Sequence, residues 1–122
     1  MSNQKTKILN EIKRLILAFC YSVEGLKAAL GEAAFRTELI ISAFALPFSF
    51  IIAHSKAELA LLIGSLFLVL IVELLNTAVE TAINRVSLEI HPLSKKAKDI
   101  ASGAVLLSII NAVLIWLVVL WN

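Results

Sequence analysis

Residues 100 to 121, IASGAVLLSIINAVLIWLVVLW, run for 22 positions without a charged side chain. That is the length an α-helix needs to cross about 30 Å of hydrocarbon at about 1.5 Å per residue. Inside a bilayer the backbone N–H and C=O groups must pair within the segment, so a lone span of this kind is a helix. With 60% hydrophobic residues in a chain of 122, the sequence is that of an integral membrane protein. It has room for one domain, so a functional site must be built within it or between copies of it.

Two further spans are less complete. Residues 59 to 72, LALLIGSLFLVLIV, number only 14, so a membrane helix starting there is expected to continue through Glu73 and Asn76 to about residue 82. The stretch from Leu39 to Ala53 borrows residues 33 to 38, with Arg36 and Glu38 reaching toward the headgroups, and Pro47 predicts a kink in it. Upstream, Ile8, Ile12, Leu15, Phe19, Val23, Leu26 and Leu30 recur at three- and four-residue spacing, with Asn10, Arg14, Tyr21 and Glu24 on the opposite side. This pattern suits an amphipathic helix lying on the membrane surface. The expected architecture is all-α: a single membrane domain over 1–122, with a surface helix at about 6–31, spans at about 33–53, 59–82 and 97–121, and a cytoplasmic loop at 83–96.

Ten of the 11 Lys and Arg residues lie before or in the first turn of the first span, or from residue 85 to the first turn of the last, and only Lys56 lies between the first two. Under the positive-inside rule the N-terminus and the 83–96 loop are cytoplasmic and the C-terminus is periplasmic. The net charge of +2 does not indicate nucleic-acid binding. The polar N-terminal residues lack the apolar core of a signal peptide. The single Cys20 excludes an internal disulfide and reads as a packing residue.

Glu73, Asn76 and Glu80, spaced i, i+3 and i+7, share a narrow sector of a helix, and Thr77 and Asn84 extend it. An ionised side chain at the bilayer centre costs about 2.5–3.5 kcal/mol on insertion scales. Hydrogen bonding between helices would be served by Asn76 and Thr77 alone, so two retained carboxylates point to chemistry. A second polar cluster runs from Glu89 through His91 and Pro92 to Lys95, Lys96, Lys98 and Asp99. By charge alone its lysines read as membrane anchors. Ala97, Ala101, Ala104, Ser108 and Ala112 form a small-residue stripe suited to close helix packing, and Asn111 is expected to hydrogen-bond across an interface. No GxxxxGK[ST], GxGxxG, HExxH or GxSxG motif is present, so any nucleotide chemistry uses a different kind of site.

Three segments carry a family resemblance: EGLKAALGEAAFRTE (Glu24 to Glu38), IVELLNTAVE (Ile71 to Glu80) and HPLSKKAKDIASGAV (His91 to Val105). They resemble, in order and spacing, the signature stretches of the prokaryotic diacylglycerol kinase family, over nearly the whole chain from about Arg14. The resemblance implies a homotrimer in the bacterial inner membrane, with a surface helix and three membrane helices per subunit. Its activity would be that of a transferase of phospholipid metabolism, passing the γ-phosphate of ATP to diacylglycerol to give phosphatidic acid, with Mg2+ as cofactor. It further implies Glu73 as general base with Asn76 in support, and Glu32 and Glu80 as metal ligands. Nucleotide contacts would fall at Arg14, Tyr21, Glu32, Glu80, Glu89, His91, Lys98 and Asp99. Lipid contacts would fall at Arg14, Ala28, Ala29, Ala33, Ala34, Phe35, Glu38 and Glu73, along a groove between the surface helix and a membrane helix. Asn84 stands where an aspartate is expected in many members.

Undecaprenol kinase is a relative on the same scaffold, and HPLSKKAKD fits either acceptor, whereas the EAAFR stretch looks more like the diacylglycerol type. A small proton-coupled transporter would also explain an intramembrane glutamate, but three spans do not readily build one and the cytoplasmic polar cluster would be idle. A non-catalytic membrane subunit would leave the paired carboxylates unexplained.

Overall fold

The computed structural model describes residues 2–121, and each apolar run of the sequence lies within a helix. The elements in chain order are α1 (Ser2–Ala29), α2 (Ala33–Ile52), α3 (Lys56–Val86) and α4 (Pro92–Trp121). The last three are each long and apolar enough to cross a membrane. The chain divides into two units, one ending at Gly31 and the other beginning at Glu32. The first is α1, whose last turn closes through Gly31 N–H donating to the Ala28 carbonyl at 3.0 Å. A Cβ on Gly31 would stand 3.1 Å from that same oxygen, which favours glycine there.

In the second unit α3 is the central element, packed against both α2 and α4. Its buried residues Leu62, Ser65, Val69 and Glu73 recur at three- and four-residue spacing, a single stripe along one face. On α4 the facing positions include Ala97, Ala101, Val105, Ser108, Ala112 and Trp116, which are buried or half-buried, whereas Ala104 of the small-residue stripe is exposed. Two side-chain bonds join these helices: Trp116 Nε1 donates to Ser65 Oγ at 3.2 Å, and Lys98 Nζ donates to Asn84 Oδ1 at 2.7 Å. The two bonds lie nearly the same number of residues apart on each helix, as an antiparallel pair in steady register requires.

Within the spans, hydroxyls find acceptors on their own helix: Ser49 on Leu46 O at 2.6 Å, Ser65 on Leu62 O at 2.7 Å, and Ser108 on Val105 O at 2.7 Å. This lets serine sit in apolar surroundings without a partner helix.

The helix limits differ from the sequence expectation. α2 contains Pro47 and ends at Ile52, one residue before the expected limit. α3 starts at Lys56 because Ser55 caps it, its side chain accepting from Glu58 N–H at 3.1 Å, and it continues to Val86. α4 already begins at Pro92, where proline suits the first helical position. His91 precedes it and accepts from Leu93 N–H through Nδ1 at 3.1 Å. The segment expected as a loop over 83–96 therefore narrows to 87–91. Polar residues end an apolar run without ending a helix once the chain leaves the bilayer.

Candidate active site

The stripe that packs α3 against its neighbours also carries the polar residues. Continuing the series Leu62, Ser65, Val69 and Glu73 at the same spacing gives Asn76, Glu80 and Asn84. Glu73 is 4% exposed, while Asn76 and Glu80 are half-buried. The packing that shields the apolar part of α3 thus also keeps Glu73 away from lipid tails.

Glu80 and Glu32 are the charged neighbours of Glu73, with Asn76 as its polar neighbour one turn on; Glu38 of α2 in turn has Glu73 as its charged neighbour. Four carboxylates from two helices converge here, and none of them takes part in the ion pairs found among the described residues, which are Glu11–Arg14, His54–Glu58 and Lys95–Asp99. Glu32 occupies the N-cap of α2 without using its side chain as a cap, so its carboxylate remains available. Asn76 Nδ2 reaches Glu80 Oε1 at 3.4 Å, a long bond. Asn76 Oδ1 and Glu38 Oε2 are buried without a hydrogen-bond partner. A cluster of acceptor oxygens bridged by the long Asn76–Glu80 bond suits a donor hydroxyl or a hard cation from outside the chain. Among the described residues no three acidic, His or Cys side chains come close enough to hold a metal by themselves. An ion at Glu32 and Glu80 would therefore draw its other oxygen ligands from phosphate and water, the habit of magnesium.

The second predicted cluster lies where α3 ends and α4 begins. Glu89, His91, Lys98 and Asp99 line one cavity of about 220 Å³ with Ser87, Ser94 and Lys95. Because His91 Nδ1 accepts the cap bond, its N–H is on Nε2, free for a ligand. Lys95 Nζ is 2.5 Å from Asp99 Oδ2, one turn apart on an exposed surface. Asn84 links the two clusters, one turn beyond Glu80 on α3 and bonded to Lys98 of α4. The sequence reading placed Asn84 at the end of the polar stripe without a partner, since only the crossing of the two helices brings it to Lys98.

The remaining predicted residues are placed on their elements. Arg14, Tyr21, Ala28 and Ala29 lie on α1, where Arg14 pairs with Glu11 at 3.0 Å. Ala33 and Ala34 are exposed and Phe35 is buried in the first turn of α2. An apolar groove of about 460 Å³ opens between α2, α3 and α4, and Glu38 and Thr37 line it near Val69, Ala112 and Trp116. Of the residues expected to contact lipid, Glu38 reaches this groove, whereas Ala33, Ala34 and Phe35 do not line it.

Three helices long and apolar enough to cross a membrane, with carboxylates on their packing face and a basic cluster at one end, are the plan of a small helical membrane enzyme. A sequence model of prokaryotic diacylglycerol kinase matches residues 20–120. The diacylglycerol kinase of Pseudomonas aeruginosa is 42% identical over 121 residues, covering 98% of both chains. That of Escherichia coli K12 is 44% identical over 110 residues, covering 89% of this chain and 90% of its own. That of Haemophilus influenzae is 39% identical over 106 residues, covering 86% and 90%. The chain belongs to the prokaryotic diacylglycerol kinase family.

Proposed function

We propose that the protein transfers the γ-phosphate of ATP directly to the free hydroxyl of diacylglycerol in the bacterial inner membrane, with Glu73 as the general base. The observation that carries this reading is the carboxylate cluster on the packing stripe of α3: Glu73 is buried at 4% exposure, beside acceptor oxygens that lack partners. A lipid hydroxyl entering the cluster meets Glu73 as proton acceptor. The hydroxyl oxygen forms its bond to the γ-phosphorus, the proton passes to Glu73, the bond to the bridging oxygen of the β-phosphate breaks, and ADP leaves. Phosphoryl transfer asks the protein mainly for positioning and charge stabilisation, which a few side chains can supply.

Asn76 keeps the Glu73 face polar, and Glu38, on the membrane groove, accepts a hydrogen bond from the lipid headgroup. Glu32 and Glu80 would hold Mg2+, which neutralises charge on the phosphates when bound. Lys98, His91 Nε2–H, Arg14 and Tyr21 supply donors to the nucleotide, and Glu89 and Asp99 orient these donors and accept from the sugar or base. α1 lies on the cytoplasmic membrane surface with its apolar side down, and Ala28, Ala29, Ala33, Ala34 and Phe35 border the acyl chains. Three copies assemble as a homotrimer with cytoplasmic N-termini and periplasmic C-termini.

The test is a phosphorylation assay on purified protein with γ-labelled ATP, offering diacylglycerol and undecaprenol side by side. Label in phosphatidic acid is expected; label only in undecaprenyl phosphate moves the acceptor to a polyprenol, and label in neither lipid ends the kinase reading. Glu73→Gln, which keeps shape and burial, should lower turnover by about 10²–10⁴-fold, the range of general-base catalysis, while ATP still binds. Near-parental turnover would remove Glu73 from the role of base.

A further inference from the structure

The cytoplasmic ends of α3 and α4 are tied by Lys98 Nζ donating to Asn84 Oδ1 at 2.7 Å. Lys98 is half-buried, unlike the exposed Lys95 and Lys96. The adjacent Asp99 is engaged by Lys95, so among the ion pairs of the described residues none neutralises Lys98. Its ammonium is held in place by a neutral acceptor.

We infer that Asn84 is a positioning residue that aims the Lys98 ammonium at the phosphates of the nucleotide. This rests on the proposed reading in which Lys98 binds ATP. An ammonium has three donors; Asn84 takes one and leaves two for phosphate oxygens. The tie also fixes a flexible four-carbon stem, so less side-chain entropy is lost when the nucleotide binds. Glu80 lies one turn back along the same stripe, so the tether sets Lys98 on the side of α3 that leads to the carboxylate cluster. A carboxylate at position 84, which the resemblance implies for many members, would keep the tether. An apolar side chain of similar size would release the lysine.

The experiment uses the full chain in detergent micelles with Asn84→Asp, Asn84→Leu, Lys98→Met and the double variant Asn84→Leu/Lys98→Met. Affinity for a non-hydrolysable ATP analogue with magnesium is measured by calorimetry, alongside KM for ATP, KM for diacylglycerol and kcat, with helical melting curves to confirm folding. Lys98→Met should weaken analogue binding about tenfold or more, as loss of a hydrogen bond to a charged group does. Asn84→Leu should weaken it about threefold to tenfold, Asn84→Asp, which keeps an acceptor for the tether, should bind like the parent, and neither should move KM for diacylglycerol. In the Lys98→Met background Asn84→Leu should add nothing. Parental binding by Asn84→Leu, beside a weakened Lys98→Met, overturns the positioning role. A loss from Asn84→Asp as large as that from Lys98→Met also overturns it, and this result stays readable even where the leucine variant unfolds. An equal loss from Asn84→Leu with and without Lys98 shows an effect on the fold instead. Parental binding by Lys98→Met removes the nucleotide reading beneath the inference.

Discussion

Replacing Ser65 by alanine tests how α3 and α4 are held in register without touching the reacting groups. Ser65 is 3% exposed; its hydroxyl donates to Leu62 O at 2.7 Å and accepts from Trp116 Nε1 at 3.2 Å. Ser65→Ala strands the indole N–H in apolar surroundings, and an orphaned donor costs about 1–3 kcal/mol in protein interiors. Interhelical bonds in membranes average about 0.6 kcal/mol with a maximum near 1.7, so a loss of about 1–1.5 kcal/mol is expected. Trp116→Phe removes the same bond from the other side, yet leaves the Ser65 hydroxyl satisfied on Leu62 O. Trp116 lines the groove between the helices, where lipid tails are as apolar as the lost carbon atoms. Its cost should be about 0.5 kcal/mol, smaller than that of Ser65→Ala, and the double variant should lose little beyond Ser65→Ala alone. Equilibrium unfolding by SDS in mixed micelles, followed by circular dichroism, reads both values. Ser65 lies two turns from Glu73, about 12 Å along the helix, so turnover per folded molecule should hold. A neutral Ser65→Ala, or a cycle in which the two costs simply add, would refute the reasoning.

The carboxylate assignments predict that Glu32→Gln and Glu80→Gln each shift the magnesium requirement to higher concentration, with Glu73→Gln leaving it in place; an unchanged magnesium titration of turnover in both variants would count against these ligands. Asn111 is exposed near the middle of α4, and no hydrogen bond engages it among the described residues. In the proposed homotrimer its amide meets a second copy, so Asn111→Leu should weaken association by about 0.6–1.7 kcal/mol, read by cross-linking across a range of protein-to-detergent ratios. Equal association in parent and variant would place Asn111 outside the interface.

The membrane helices and the polar stripe were legible in the sequence for one physical reason: hydrocarbon penalises polar groups, so those retained inside a span stand out. Glu73, Asn76 and Glu80 are spaced for a shared helix face, and the structure has them on one stripe. What escaped the reading depended on water or on distance along the chain. The segment 83–96 was polar enough to resemble a loop, yet outside the bilayer polar side chains do not oppose a helix; Pro92 was the start signal that charge counting passed over. The Ser65–Trp116 and Asn84–Lys98 bonds join residues 51 and 14 positions apart. They exist only because α3 and α4 cross in a particular register, which hydropathy does not encode. Asn111 shows the converse: the sequence leads to an expectation of a partner that none of the described residues supplies.

The length of α3 gives the proposed reaction its geometry. Its 31 residues span about 46 Å, about 16 Å more than the hydrocarbon core. Counting a crossing of about 20 residues from Leu59 ends the core near Ala78, leaving Glu73 about 8 Å inside, Glu80 about 3 Å beyond it and Asn84 about 9 Å beyond it. One helical stripe therefore runs from the depth of a diacylglycerol hydroxyl to the water that carries ATP. A base is needed at the first depth and phosphate-binding groups at the second, and in the proposed mechanism these are Glu73 on one side and Glu80 with the tethered Lys98 on the other. A carboxylate as deep as Glu73 is tolerable because α2 and α4 cover the stripe, so the packing that stabilises the bundle also shelters the base. A reaction between a lipid and a nucleotide then needs no separate soluble domain, only a helix long enough to stand in both phases.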